Sequence, residues 1–73
     1  MTSTGEFHLD GQEHVLLQSL LQIAGLCDTG GEAKLLILDG QVTVDGEVET
    51  RRGKKIRAGQ RVTCGDVDIE VMP

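Results

Sequence analysis

Between Thr50 and Gly65 the chain carries Arg51, Arg52, Lys54, Lys55, Arg57 and Arg61 and no Asp or Glu. Guanidinium and ammonium groups at this spacing offer charge-assisted hydrogen bonds to phosphate or carboxylate oxygens, so the chemistry they could do is the holding of a polyanion. The formal net charge of −5 argues the other way. However, six of the seven Lys and Arg residues fall within eleven consecutive positions, and at physiological salt the Debye length is only about 8 Å. Local potential therefore outweighs net charge in deciding what docks there. A competing reading keeps the strip as a solvated strand and loop, its cations balanced by Glu47 and Glu49 through weak surface ion pairs. Random mixing of the charged residues would rarely leave so long a run with six cations and no anion, which favours the anion-binding surface.

A second candidate is Thr29-Gly30-Gly31-Glu32-Ala33-Lys34. Free amides at a helix N-terminus can hold an anion, and neither Gly30 nor Gly31 has a side chain to block a close approach. A formed capping box uses some of those amides, and Glu32 would repel a phosphate in the first turn. Capping is the favoured role here, with direct phosphate contact the alternative.

Catalytic chemistry finds no such grouping. Ser3 and Ser19 have no paired base nearby, Cys27 and Cys64 belong to no CxxC pair, and no glycine-rich stretch ends in the Gly-Lys-Ser or Gly-Lys-Thr of a P-loop. The cysteines are expected to be unbridged, reduced thiols. His8 and His14 lack companions at ligand spacing, and Asp66, Asp68 and Glu70 read as one solvated strand face, so neither metal nor cofactor is expected. Phe7 is the only aromatic residue, which counts against single-strand binders that stack bases on several rings.

The elements that must position these residues fit one domain. A chain of 73 residues buries only about 60% of its unfolded surface. Asp10-Gly11-Gln12-Glu13 has capping-box spacing and predicts a helix with Leu16, Leu17, Leu20, Leu21 and Ala24 on its apolar face, Glu13 off that face, and Gly25 as its stop. Thr29 to Glu32 predicts a second, short helix with an apolar stripe at Ala33, Leu36 and Ile37, closed by Gly40. Only Leu26, Cys27 and Asp28 separate the two, so they must fold back on each other. Gln41–Val44 and Glu47–Thr50 flank Asp45-Gly46, a tight-hairpin signal. A strict two-residue loop would put Val48 on the face opposite Val42 and Val44, so a bulge or longer turn is expected to bring the valines together. Arg61–Cys64 and Val67–Val71 predict another strand pair around Gly65-Asp66, and Phe7 and Leu9 suggest an N-terminal strand. Residues 1–6 are expected to be a flexible tail. Val15 to Leu26 falls short of the roughly 18 apolar residues of a membrane span, and Met1 to Glu6 has no secretory character. A cytoplasmic protein is expected.

Laid out this way, the chain resembles the S4 RNA-binding domain, and most closely the small stand-alone bacterial proteins of the YbcJ type. The likeness covers Val15 to Val62. It rests on the Leu-rich helix closing at Ala24-Gly25-Leu26, on Thr29 to Lys34, on Gly40-Gln41-Val42-Thr43-Val44-Asp45-Gly46-Glu47, and on Glu49 to Gly59, in that order and spacing. The resemblance implies an α+β fold, a two-helix hairpin packed on a small, mostly antiparallel sheet (the αL motif), with RNA met by the second helix and the hairpin region after it. Lys34, Arg51, Arg52, Lys54, Lys55 and Arg57 sit at the matching positions. Where larger S4 proteins often carry basic side chains at the start of the second helix, this chain has Gly30 and Gly31, so contact there would depend on backbone amides and Lys34.

Together these readings predict non-catalytic binding of structured RNA, of the ribosomal or transfer class, through the basic strip and the second helix. The lack of stacking aromatics favours recognition of backbone and shape. The alternative is a protein-interaction module whose strip docks an acidic patch on a larger assembly, which would make the partner a protein. A ubiquitin-like sulfur carrier is more distant, because such carriers finish in Gly-Gly and this sequence finishes Val71-Met72-Pro73. No membrane partner is expected.

Overall fold

Asp10 and Gly11 both take positive φ, 52° and 90°, and the Gln12 amide donates to the Leu9 carbonyl at 3.1 Å. The Asp-Gly pair therefore makes a tight turn and does not open a helix, although its spacing also fits a capping box. Asp tolerates the left-handed region unusually well, and Asp-Gly is a tight-turn dipeptide in its own right. The computed structural model, which describes residues 3–73, places strand β1 (Ser3–His8) before this turn and the short β2 (Val15–Leu16) after it. Helix α1 begins only at Leu17 and runs to Ile23, and α2 spans Gly30–Leu38. The remaining strands are β3 (Val42–Val44), β4 (Glu47–Val48), β5 (Lys55–Ile56), β6 (Arg61–Cys64) and β7 (Val67–Met72).

Both helices end as the sequence predicts. Gly25 and Gly40 take φ of 79° and 77°, which costs a residue without Cβ nothing. In each case the glycine amide and the next one bond back to two carbonyls of the last turn: Gly25 to Gln22 and Leu26 to Leu21 in α1, Gly40 to Ile37 and Gln41 to Leu36 in α2. This is the Schellman closure. At the start of α2, Thr29 Oγ1 accepts from the Glu32 amide at 3.2 Å, and the Glu32 carboxylate reaches back to the Asp28 amide at 3.4 Å, one residue before the expected partner.

Five strands form one sheet in the order β1-β7-β6-β3-β4, antiparallel except for the parallel β1–β7 pair, while β2 and β5 form a separate antiparallel bridge. Ser3–Glu6, expected as part of a flexible tail, pair with Val67–Glu70 of β7. Met1 and Thr2 lie outside the described residues.

The β3–β4 turn corrects another expectation. Asp45 and Gly46 both have positive φ, 52° and 86°, and Val44 pairs with Glu47 across a strict two-residue loop. No bulge intervenes, and Val48 stays 59% exposed while Val42 and Val44 enter the core. The twist of this turn suits the strands, so one exposed valine, lying near Gly40, is tolerated.

A single core joins Leu17, Leu20 and Leu21 of α1, Ala33 and Ile37 of α2, Ile56 of the bridge, and Val42, Val62, Ile69 and Val71 of the sheet. Ala24, expected on the apolar face of α1, is exposed at the helix's C-cap.

Candidate nucleic-acid interface

The basic strip is a loop bolted to the core at several points. Ile56 is fully buried, and the alternation of a strand turns Lys55 outward beside it. The β2–β5 bridge pairs Val15 with Ile56 and Leu16 with Lys55. From there the chain passes straight into α1, whose Leu16 cap offers no side-chain oxygen. The helix's first two amides find other partners: Leu17 N donates to the Lys54 carbonyl at 2.9 Å and Gln18 N to the Arg52 carbonyl at 3.1 Å. A helix start that lacks a side-chain cap is thus satisfied by the basic loop, and the loop is fixed by the helix.

Two turns complete the fastening. The Lys54 amide donates to the Arg51 carbonyl at 3.2 Å, and the Gln60 amide to the Arg57 carbonyl at 3.2 Å. Gln60 Oε1 accepts from the Arg57 amide at 2.8 Å. Asp45, in the β3–β4 turn, accepts from the Arg61 amide at 2.9 Å.

With the backbone held this way, Arg51, Lys54, Lys55 and Arg57 line one shallow depression together with Gly53. Arg52 is exposed in the same loop but outside that lining. Gly30, Gly31 and Lys34 are exposed on α2 and do not line it either. The Gly30 and Gly31 amides have no hydrogen-bond partner among the described residues.

The cations are not all free. Glu49 binds Arg51 through both side-chain oxygens, Oε2 to Nε at 3.1 Å and Oε1 to Nη2 at 3.4 Å, and accepts from the Arg51 amide at 3.0 Å. The Arg51 side chain, then its amide, hold the Glu49 carboxyl below the usual carboxylate range, and Glu49 in turn keeps Arg51 more firmly protonated. Arg57 Nη1 lies 3.2 Å from Glu13 Oε1, so Glu13, expected on the outer face of the first helix, sits instead ahead of β2 and faces the strip. Among the described residues Lys34, Arg52, Lys54, Lys55 and Arg61 form no ion pair.

The expected balancing by Glu47 and Glu49 therefore holds only at Arg51, through Glu49; Arg57 takes Glu13 instead, and among the described residues Glu47 forms no ion pair and the other cations of the strip are unmatched. The proximity of Glu49 to Arg51 could be seen in the sequence. The Glu13–Arg57 pair spans forty-four positions, and no local signal points to it.

The remaining polar candidates have structural partners or lie in the core. Cys27 and Cys64 are free, buried thiols. Burial pushes both up, and Glu32 and Asp28 add to the effect at Cys27, so neither is a ready thiolate. Asp68 accepts from the Thr63 hydroxyl at 2.8 Å, and Glu70 stands opposite Arg61 across the β6–β7 pair. Asp66 is in the turn. No group of His, Cys, Asp and Glu able to hold a metal occurs among the described residues, and no described helix is long and apolar enough to cross a membrane.

Comparison with known proteins gives the family and the fold. The S4 domain family matches residues 7–72. YbcJ of Escherichia coli strain K12, named as a candidate RNA-binding protein, is 44% identical over 66 residues, covering 90% of this chain and 94% of the relative. YbcJ of Shigella flexneri aligns equally well. The solution structure of E. coli YbcJ, described as revealing an αL motif involved in RNA binding, matches with a TM-score of 0.75 and 41% identity, over 100% of this chain and 92% of that one.

Proposed function

This chain belongs to the S4 domain family, and from that premise we propose that it binds structured RNA, of ribosomal or transfer class, without catalysing a reaction on it. The observation that carries the reading is the fastened loop of cations: Arg52, Lys54 and Lys55 have no ion pair among the described residues, and their backbone is tied to α1 and β2. Such a loop meets a phosphate path without first having to be ordered, which lowers the entropic cost of binding. Arg51 and Arg57 join when phosphate displaces Glu49 and Glu13. Lys34 extends the patch from α2, and the unpartnered amides of Gly30 and Gly31 offer donors to a phosphate that comes close. With Phe7 as the lone aromatic residue, contact is to backbone and shape. The cytoplasm is the compartment that fits this reading.

The test is a titration of a labelled RNA hairpin at several salt concentrations against the parent and the Arg52→Ala/Lys55→Ala double variant. Each lost phosphate contact removes about one unit from the slope of log affinity against log salt, so the variant binds more weakly and its slope is flatter. Unchanged affinity and slope in a variant with a normal thermal melt would remove the strip as the binding surface.

A further inference from the structure

At about 100° per residue, Gly30 and Lys34 fall to one side of the buried Ala33 and Ile37, and Glu32, Leu36 and Asp39 fall to the other. From that second flank a groove of about 600 Å³ runs across the outer face of α2, lined by Leu26, Leu35, Leu36 and Leu38, with Glu32 and Asp39 as its charged residues. Leu35 is 68% and Leu38 58% exposed. An apolar surface of this kind on a small domain marks a contact site. The charges indicate the kind of partner. Both ionisable side chains in the lining are carboxylates and none of the chain's Lys or Arg residues contributes to it. The flank would therefore repel a nucleic acid. A second copy presenting the same groove would bring Glu32 and Asp39 against carboxylates of its own kind.

We propose that this flank of α2 docks an amphipathic helical segment of a partner protein, apolar along its centre and bearing Lys or Arg along its edges. Leu side chains of the segment would fill the space between Leu26, Leu35 and Leu38, and its cations would meet Glu32 and Asp39. This is the helix-in-groove mode of recognition with acidic rims. Asp39 is already oriented for this by the Gln41 side-chain amide, which donates to it at 2.6 Å. None of the residues proposed to meet RNA lines the groove, so the docked segment and the RNA would contact different residues, with Lys34 standing one turn before Leu38 on α2. The surface depends on its own residues and stands whether or not the basic strip binds RNA.

The experiment uses isotopically labelled full chain and short synthetic helix-forming peptides, one with Leu at helical spacing flanked by Lys, and a second with every Lys replaced by Glu. The Lys peptide is expected to shift the resonances of Leu26, Leu35, Leu36 and Leu38, and the Glu peptide is not. In the Leu35→Ser/Leu38→Ser variant its affinity should fall at least about tenfold, while the thermal melt and the titration with the RNA hairpin stay those of the parent. Charge reversal at Asp39→Lys, with the leucines intact, should also weaken the Lys peptide. Equal binding of both peptides, or shifts confined to the acidic surface away from Leu35 and Leu38, would overturn the proposal. So would self-association of the free protein that the double variant abolishes, because that would assign the groove to a second copy.

Discussion

Glu49 grips Arg51 through the side chain and the main chain at once, with Nε at 3.1 Å and the amide nitrogen at 3.0 Å from the same carboxylate oxygen, so a phosphate arriving at Arg51 must displace an anion already in place. Glu49→Gln is expected to raise affinity for the RNA hairpin and steepen its salt slope by up to about one unit, read from titrations over a range of salt. A fall in affinity would mean instead that Glu49 serves by shaping the loop. The same pair makes a pH prediction. Because the folded carboxyl is held below its unfolded value, its contribution to stability is complete above the usual carboxylate range and is lost as pH falls through the lower folded value. Thermal melts of the parent and of Glu49→Gln should therefore converge toward acid, and an NMR titration of the Glu49 side chain should show a midpoint below the ordinary glutamate range. Glu13 holds Arg57 through one contact at 3.2 Å, so Glu13→Lys should free Arg57 and increase RNA affinity by more than its two-unit change in charge would through bulk attraction.

The helices and strands show how local and distant signals differ. α2 was legible from Thr29 to Gly40 because its cap, stripe and stop all lie within its own turns, and the β3–β4 hairpin was legible from Asp45-Gly46. α1 was only half legible. Its stop at Gly25 is legible, and its apolar face at Leu17, Leu20 and Leu21 but not at Leu16, which belongs to β2, or at exposed Ala24; its start is not legible, because Asp10-Gly11 satisfies two templates and the sheet selects the turn. The amides that open α1 are satisfied by carbonyls of Lys54 and Arg52, far along the sequence and invisible to any window of neighbours. Two expectations follow. The Leu17 and Gln18 amides, which in most helices exchange freely as first-turn donors, should be protected in hydrogen exchange, and rapid exchange at both would show the loop unfastened. Leu20→Ala, at a position with no exposed surface, should cost about 2 to 5 kcal/mol, measured by denaturant unfolding, a large share of what a small domain holds.

At the scale of the whole molecule, charge is sorted by place: cations on one loop and at Lys34, carboxylates over the rest. The loop was legible as a run of residue types. The patch as a surface was not, because its internal ion pairs and the placing of Lys34 depend on how α2 and the loop pack. If Lys34 belongs to the patch, Lys34→Glu should weaken RNA binding more than Lys34→Ala does, and equal binding by both variants and the parent at moderate salt would confine the site to the loop. The parallel pairing of β1 with β7 sets the timing of folding. Ser3 lies beside Val67 and His8 beside Met72, and β7 also carries β6 on its other side. On the ribosome, β1 must therefore wait for Val67–Met72 before it has a neighbour, with every proposed RNA contact from Gly30 to Arg57 already synthesised. A nascent chain halted before Val67 would hold the cations without the sheet that supports them, so the ability to bind in native form should arrive late and all at once as β7 clears the exit tunnel.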